Sequence, residues 1–371
     1  MTRRPARRAS RPLSRRLQEL RARVATLEVC SRIALALLLG VLATQAAHAA
    51  DPAYTIESLN APIAEFVTTG DTVAVKVTGP SNAAILRTGL RLNGQDVTAH
   101  LAPDGAVGSL TGTIPGLQVG VNTFELFKSP TSTAELTELT VIRATLPTTT
   151  CAALAGASLP VPDTVITSTV VNANGATSAA GVPLPEHCVV RGTIEGRIGI
   201  GPAGPTPYGT MFELRLPTNW NGRFIFQGQG GTGGSVAAAT GQSQMPPGNP
   251  PPLAAGWAVV SFDGGHQGGG PEFGLDPKAK TDFAYHSMDI AAVTAKALIA
   301  AYYAEGPRYS YFSGCSNGGR QGMMFSQRFP TYFDGIINGS ATYRLSVTYV
   351  DSSWGLQQLT AVAPPNAAGA P

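Results

Sequence analysis

The chain has 371 residues, 43% hydrophobic and 13% charged, with 43 glycines, 29 prolines and four cysteines. Its net charge of +3 hides an asymmetry: residues 1–50 hold ten arginines and two glutamates, so residues 51–371 carry −5, which excludes a broad basic face for nucleic acid. Past residue 50 there is enough chain for two domains with a sizeable core.

Residues 1–49 read as a signal peptide. Ile33 to Val41 is an apolar core too short to span a bilayer, and Ala47-His48-Ala49 has the small-residue pattern of a cleavage site near Ala49. The expectation is an exported protein, secreted or periplasmic, with no membrane anchor after cleavage.

Residues 53–146 read as all-β. Val73-Ala74-Val75-Lys76-Val77 alternates, Leu90-Arg91-Leu92 runs into the hairpin signal Asn93-Gly94, and Asn122 to Phe127 and Leu139 to Ile142 are further strands. Short strands between turn residues predict a small immunoglobulin-like sandwich. Pro147 to Thr150 is a linker.

From Cys151 the pattern changes to strands alternating with helices. Val165 to Val171, Cys188-Val189-Val190, Tyr208 to Leu216, Arg223 to Gln227 and Trp257 to Asp263 are predicted strands, and Gln242 to Pro252 is a Pro-rich surface loop. Phe283 to Tyr303 is predicted as one helix with an apolar stripe of Ile290, Val293, Ala297, Leu298 and Ala301, stopped by Gly306-Pro307. A further strand, Phe333 to Asn338, completes the pattern of a doubly wound α/β sheet.

Between the last two lies Gly314-Cys315-Ser316-Asn317-Gly318, a G-x-S-x-G with a β-prone run before it and a helix-compatible run after it. That is the setting of a nucleophile elbow, with Ser316 as nucleophile and the N–H of Asn317 as one oxyanion donor. The second donor is expected from the glycine-rich loop Gln227 to Gly234, whose backbone can approach a substrate closely. No Lys-Ser/Thr follows those glycines, which argues against a phosphate cradle.

The stretch Gly314 to Gly322, followed by Gln327-Arg328-Phe329-Pro330 and Phe333-Asp334-Gly335-Ile336-Ile337, resembles the tannase and feruloyl esterase family, which also includes mono(2-hydroxyethyl) terephthalate hydrolases. Leu184 to Cys188, Leu216 to Phe224 and Gly265-His266-Gln267 extend the resemblance over Cys151 to Ala341. It implies an α/β-hydrolase fold and an exported serine esterase that acts on a small ester of an aromatic acid through an acyl-enzyme on Ser316. By the family pattern Gly230 or Gly231, with Gly231 favoured, gives the second oxyanion donor, and Cys151 pairs with Cys188. His266 is expected to line the pocket rather than act as base.

The catalytic acid and base are not found by pattern. In this fold they follow the serine, yet His48, His100, His187, His266 and His286 all precede Ser316, and of the acids that follow, Asp334 reads as structural and Asp351 comes too soon. Cys315 is left unpaired, whereas the family ties it to a cysteine beside the catalytic histidine. These gaps together predict that 151–371 is a C-terminally truncated hydrolase domain without lid or Asp/His segments, weak or inactive as it stands. No zinc motif occurs, and the family's calcium site belongs to the lid, so no metal or other cofactor is expected. The alternative reading is a non-catalytic exported binding protein that uses the β-rich leader or the remnant pocket.

Overall fold

The computed structural model describes residues 53–59, 65–178, 181–241 and 250–362; the proposed signal peptide and most of the Pro-rich loop, 242–249, lie outside these. Two compact units alternate along the chain: one holds 75–112 and 123–139 with the described residues up to Glu57, the other 58–74, 113–122 and Thr140 onward. This division crosses the stretch that the sequence assigns to one β-rich segment.

The β-rich stretch carries two small sheets, ordered Thr55–Ser58, Thr72–Thr78, Ser109–Pro115, Ala102–Pro103 and Glu65–Thr68, Glu135–Arg143, Gly120–Phe127, Gly89–Leu92, Gln95–Asp96. Val73, Val75 and Val77 are buried while the residues between them are not, so the period-two pattern sets the face. Asn93 and Gly94 both take positive φ and close the hairpin that pairs Leu92 with Gln95.

The larger sheet has seven strands: β1 (Thr164–Asn172), β2 (His187–Gly201), β3 (Gly204–Pro217), β4 (Arg223–Gln227), β5 (Ala258–Phe262), β6 (Tyr309–Cys315) and β7 (Gly335–Gly339), in the order β1-β2-β3-β5-β4-β6-β7. β1, β2, β3 and β5 pair antiparallel in turn, whereas β4 is parallel to both β5 and β6, and β6 to β7. The chain leaves β4 for β5 on one side and leaves β6 for β7 on the other. The carboxyl ends of β4 and β6 therefore flank a switch point, where such sheets open a crevice. β5, β4, β6 and β7 form the parallel part expected of an α/β sheet, whereas the antiparallel pairing of β1, β2, β3 and β5 corrects the expectation of a parallel sheet throughout.

Helices α1 (Pro277–Thr281), α2 (Ser287–Tyr303), α3 (Asn317–Arg328) and α4 (Leu345–Val362) connect or follow these strands. The single helix expected over 283–303 is instead two pieces, a π-turn, Asp282–His286, and α2, and α1 precedes the π-turn directly. Asp276 caps α1 by accepting from the Ala279 N–H, and Pro277 fits its first turn, so helix begins ten residues before α2. The expected stripe on α2 also needs correction. Ala301 is exposed and Val293 and Ala297 are half-buried, while Met288, Ala291, Ala295, Ile299 and Tyr302 join Ile290 and Leu298 inside. A run of alanines offers no large side chain to mark the buried face, and small residues let the helix bury more than one stripe.

Beneath the crevice the core is aromatic. Phe226 of β4 and Phe312 of β6 have ring centroids 5.8 Å apart, and Phe325 of α3 lies 5.4 and 5.2 Å from them, with Phe333 a further 4.7 Å from Phe325. Such tilted and edge-on contacts add to the area these rings bury. β7 is the last strand of the sheet among the described residues; its Ile337 is 68% exposed, and α4 buries no residue. No helix among the described residues is long and apolar enough to cross a membrane.

Cys151 and Cys188 form the disulfide implied by the resemblance, with Cα atoms 5.5 Å apart and 37 residues of separation. It links the turn that opens this part of the chain to β2. Closing a loop of that size is valued at about 4 kcal/mol in the chain-entropy model. Cys151→Ala with Cys188→Ala is therefore expected to lower the unfolding free energy by roughly 3–4 kcal/mol in equilibrium denaturation. A loss under about 1 kcal/mol would show that the bond does not restrain the unfolded chain in this way.

Candidate active site

Ser316 sits between β6 and α3 at φ 60°, ψ −116°. An L-residue there is strained, by about 1–3 kcal/mol, and the turn brings its side chain to the surface: Cys315 and Ser316 are exposed, whereas Gly314 before them and Asn317 after them are buried. Backbone bonds lock the turn, from the Ser316 N–H to the Gly339 carbonyl (2.9 Å) and from the Arg320 N–H to the Ser316 carbonyl (3.1 Å). The flanking glycines are required by close approach, since a Cβ on Gly314 would lie 2.5 Å from the Gly318 backbone.

The glycine-rich loop after β4 lies beside this turn. Ser316, Cys315, Gly230, Gly233 and Ser261 share the wall of one cavity of about 400 Å³. Gly228 donates to the Ser313 carbonyl at 2.8 Å. Gln321 of α3 accepts the Gln229 N–H at 3.2 Å and, in the amide orientation that satisfies both residues, donates to the Gln229 side-chain oxygen at 3.1 Å. The far end of the loop is held by the Ala239 N–H on Glu213 (3.0 Å) and the Gly241 N–H on Gln227 (2.9 Å). Burial pushes the Glu213 carboxyl up, but the Ala239 N–H and Arg215 outweigh it and hold its pKa below the usual range.

The structure thus brings Ser316 and Gly230 to one cavity wall. Gly231, at φ 58°, is the next residue of the same loop but does not line it. Asn317 is the first residue of α3, where a backbone N–H has no acceptor within the helix. Cys315 is a free, exposed thiol. His266 is fully buried, outside the cavity wall, and its ring stacks on Phe273 at 3.9 Å with neither nitrogen in a well-formed hydrogen bond. Burial holds its pKa below the ordinary value, with the nearby Gly264 and Thr232 backbone offsetting part of the effect. His286 bonds Glu195 at 3.0 Å.

One group among the described residues has metal-ligand geometry: Glu195, Asp282 and His286 place ligand atoms within 4.8 Å of one another. The Lys278 ammonium occupies that space, 2.9 Å from Glu195 and 2.7 Å from Asp282, so the cluster is an ion-pair network.

The sequence reading missed four residues that build the site: Gln229, Asp263, Arg320 and Gln321. Arg320 and Gln321 stand close to the serine and Asp263 to Gly265-His266-Gln267, while Gln229 lies within the glycine-rich loop; nothing else in the sequence marks them. Asp263 is fully buried; it accepts from the Gly265 N–H (2.8 Å) and from Gln267 (2.7 Å), and its carbonyl takes the Gly234 N–H (2.7 Å).

Residues 190–367 match tannase and feruloyl esterase, and residues 56–148 match a tannase-like family of unknown function. Residues 190–367 belong to the tannase and feruloyl esterase family. The chain is 41% identical to a mono(2-hydroxyethyl) terephthalate hydrolase of Piscinibacter sakaiensis over 198 residues, 50% of this chain and 32% of that one. It is 39% identical to feruloyl esterase B of Aspergillus niger over 147 residues, 38% of this chain and 26% of that one. It therefore spans about a third of the length of the curated relatives it matches. Among solved structures it resembles feruloyl esterase B from Aspergillus oryzae, with a TM-score of 0.44 and 26% identity over 54% of this chain and 38% of that one. It also resembles tannin acyl hydrolase from Aspergillus niger, with a TM-score of 0.45 and 22% identity over 58% and 41%.

Asp263 makes this tannase-family site sensitive to pH. Burial raises its pKa to about 7, against the hydrogen bonds from Gly265 and Gln267 that lower it. The folded chain therefore holds a proton that the unfolded chain releases between about pH 4 and pH 7, and stability falls as pH rises through that window. Asp263→Asn removes the penalty. Its stability relative to wild type should rise by up to a few kcal/mol from about pH 4 to pH 8 in denaturant titrations. A pH-independent difference would contradict the assignment.

Proposed function

We propose that the protein is a serine esterase that hydrolyses small esters of aromatic acids through an acyl-enzyme on Ser316. The observation that carries this reading is an exposed serine in a strained strand-to-helix turn, sharing a cavity with a glycine-rich loop. The Ser316 oxygen attacks the ester carbonyl carbon while a general base takes its proton. The carbonyl oxygen becomes an oxyanion, which two donors must meet. The Asn317 N–H is one, and Gly231 or Gly230 gives the other. Collapse expels the alcohol, whose oxygen takes the proton from the base; water, deprotonated by the same base, then attacks the acyl carbon, and collapse releases the acid as the proton returns to the Ser316 oxygen.

The base is assigned to neither His266 nor His286, whose ring contacts are with Phe273 and Glu195. Hydrolysis is accordingly proposed for the whole protein, with the base supplied from outside the described residues. No step uses a metal or other cofactor. Export is proposed on the N-terminal signal pattern, and a disulfide suits the oxidising compartment it implies.

The test is turnover of methyl ferulate, methyl gallate and mono(2-hydroxyethyl) terephthalate by the protein and its Ser316→Ala variant. Loss of activity by at least about a thousandfold is expected. Equal rates in the two proteins, or no turnover together with no labelling of Ser316 by a fluorophosphonate, would remove the reading.

A further inference from the structure

Arg320 lies one turn after Ser316 on α3 and turns each of its three guanidinium nitrogens to a protein acceptor. Its Nε donates to Asn317 Oδ1 at 2.7 Å, Nη1 to the Ala284 carbonyl at 2.8 Å and Nη2 to the Phe283 carbonyl at 2.9 Å, with the guanidinium 4.7 Å from the Phe283 ring. No carboxylate pairs with it among the described residues. A half-buried guanidinium without a counter-charge bears a desolvation cost, which draws its pKa down to about 10. An apolar side chain of similar size would serve packing as well or better.

What the fork holds is informative. The two carbonyls belong to the π-turn Asp282–His286, a kind of irregularity that often marks functional sites. Phe283 in turn packs edge-on to His266 at 5.8 Å. The third acceptor is the Asn317 side chain, which is 5% exposed and whose Nδ2 has no partner. Among the described residues Arg320 is thus the only group that hydrogen-bonds the Asn317 side chain, and Asn317 is the residue whose backbone N–H faces the oxyanion in the reading above.

We propose that Arg320 is a positioning residue: it fixes Asn317 at the start of α3, and through it the backbone donor that meets the oxyanion. This rests on Ser316 being the nucleophile. A lysine could reach one of the three acceptors but cannot reproduce the planar fork.

A kinetic double-mutant cycle on hydrolysis of an aromatic ester tests it. Arg320→Met is expected to lower kcat by roughly 10–100-fold with KM changed less than about twofold, because the interaction matters when charge develops. Arg320→Lys should recover only part of this. In an Asn317→Ala background the Arg320→Met loss should shrink to about threefold or less. An equal loss in both backgrounds, or an effect confined to KM, would overturn the proposal. Amide hydrogen exchange of the wild type and Arg320→Lys reads the same link without turnover. Faster exchange at Asn317 to Gln321 and in Asp282–His286, with β2 and β3 unchanged, is expected, and unchanged exchange would overturn it. Ser316→Ala run alongside separates the two readings: hydrolysis that survives it removes the nucleophile, while the exchange result still judges Arg320.

Discussion

Two carboxamides join the halves of the site. Gln321, on the helix behind the serine, grips Gln229 by its backbone and its side chain, and the Gln229 nitrogen passes the link to the Asp263 carbonyl at 3.0 Å. The serine turn, the glycine-rich loop and the loop after β5 thus share one chain of amides, with Gln321 buried and Gln229 half-buried. Each bond is worth only about 1 kcal/mol net, but losing one strands its partners in a dry interior at about 1–3 kcal/mol each. The sheet sets where β4 and β6 end; this chain sets how their loops face each other.

The contrast between what was legible and what was not follows from range. The G-x-S-x-G turn could be read because its strand, glycines and helix are neighbours in sequence. Val73, Val75 and Val77 could be read because alternation is local. Gln229 and Gln321 could not, since they lie 92 positions apart and their polarity alone suggests surface. Nor could the π-turn: its composition suits a helix, and the guanidinium that two of its carbonyls accept from, Arg320, lies 36 and 37 positions on. The fold was therefore largely visible in the chain, whereas the support beneath the serine was not.

Asp263, His266 and Arg320 share a further trait. Asp263 and His266 are fully buried and Arg320 half-buried, and none has an opposite charge among the described residues to hold it. Stability alone does not favour such groups, and concentrations of them beside a cavity tend to mark chemistry rather than packing. Neutral amides and carbonyls satisfy Asp263 and Arg320, which keeps the region dry and polar at once.

The backbone angles at Ser316 set stability against chemistry at one position. Only glycine adopts that conformation readily, so a chain released from selection on its reaction would drift toward glycine there and gain stability by doing so. A copy of this sequence that has lost its hydroxyl need not be a damaged fold. It could be the more robust one, kept for whatever the cavity still holds.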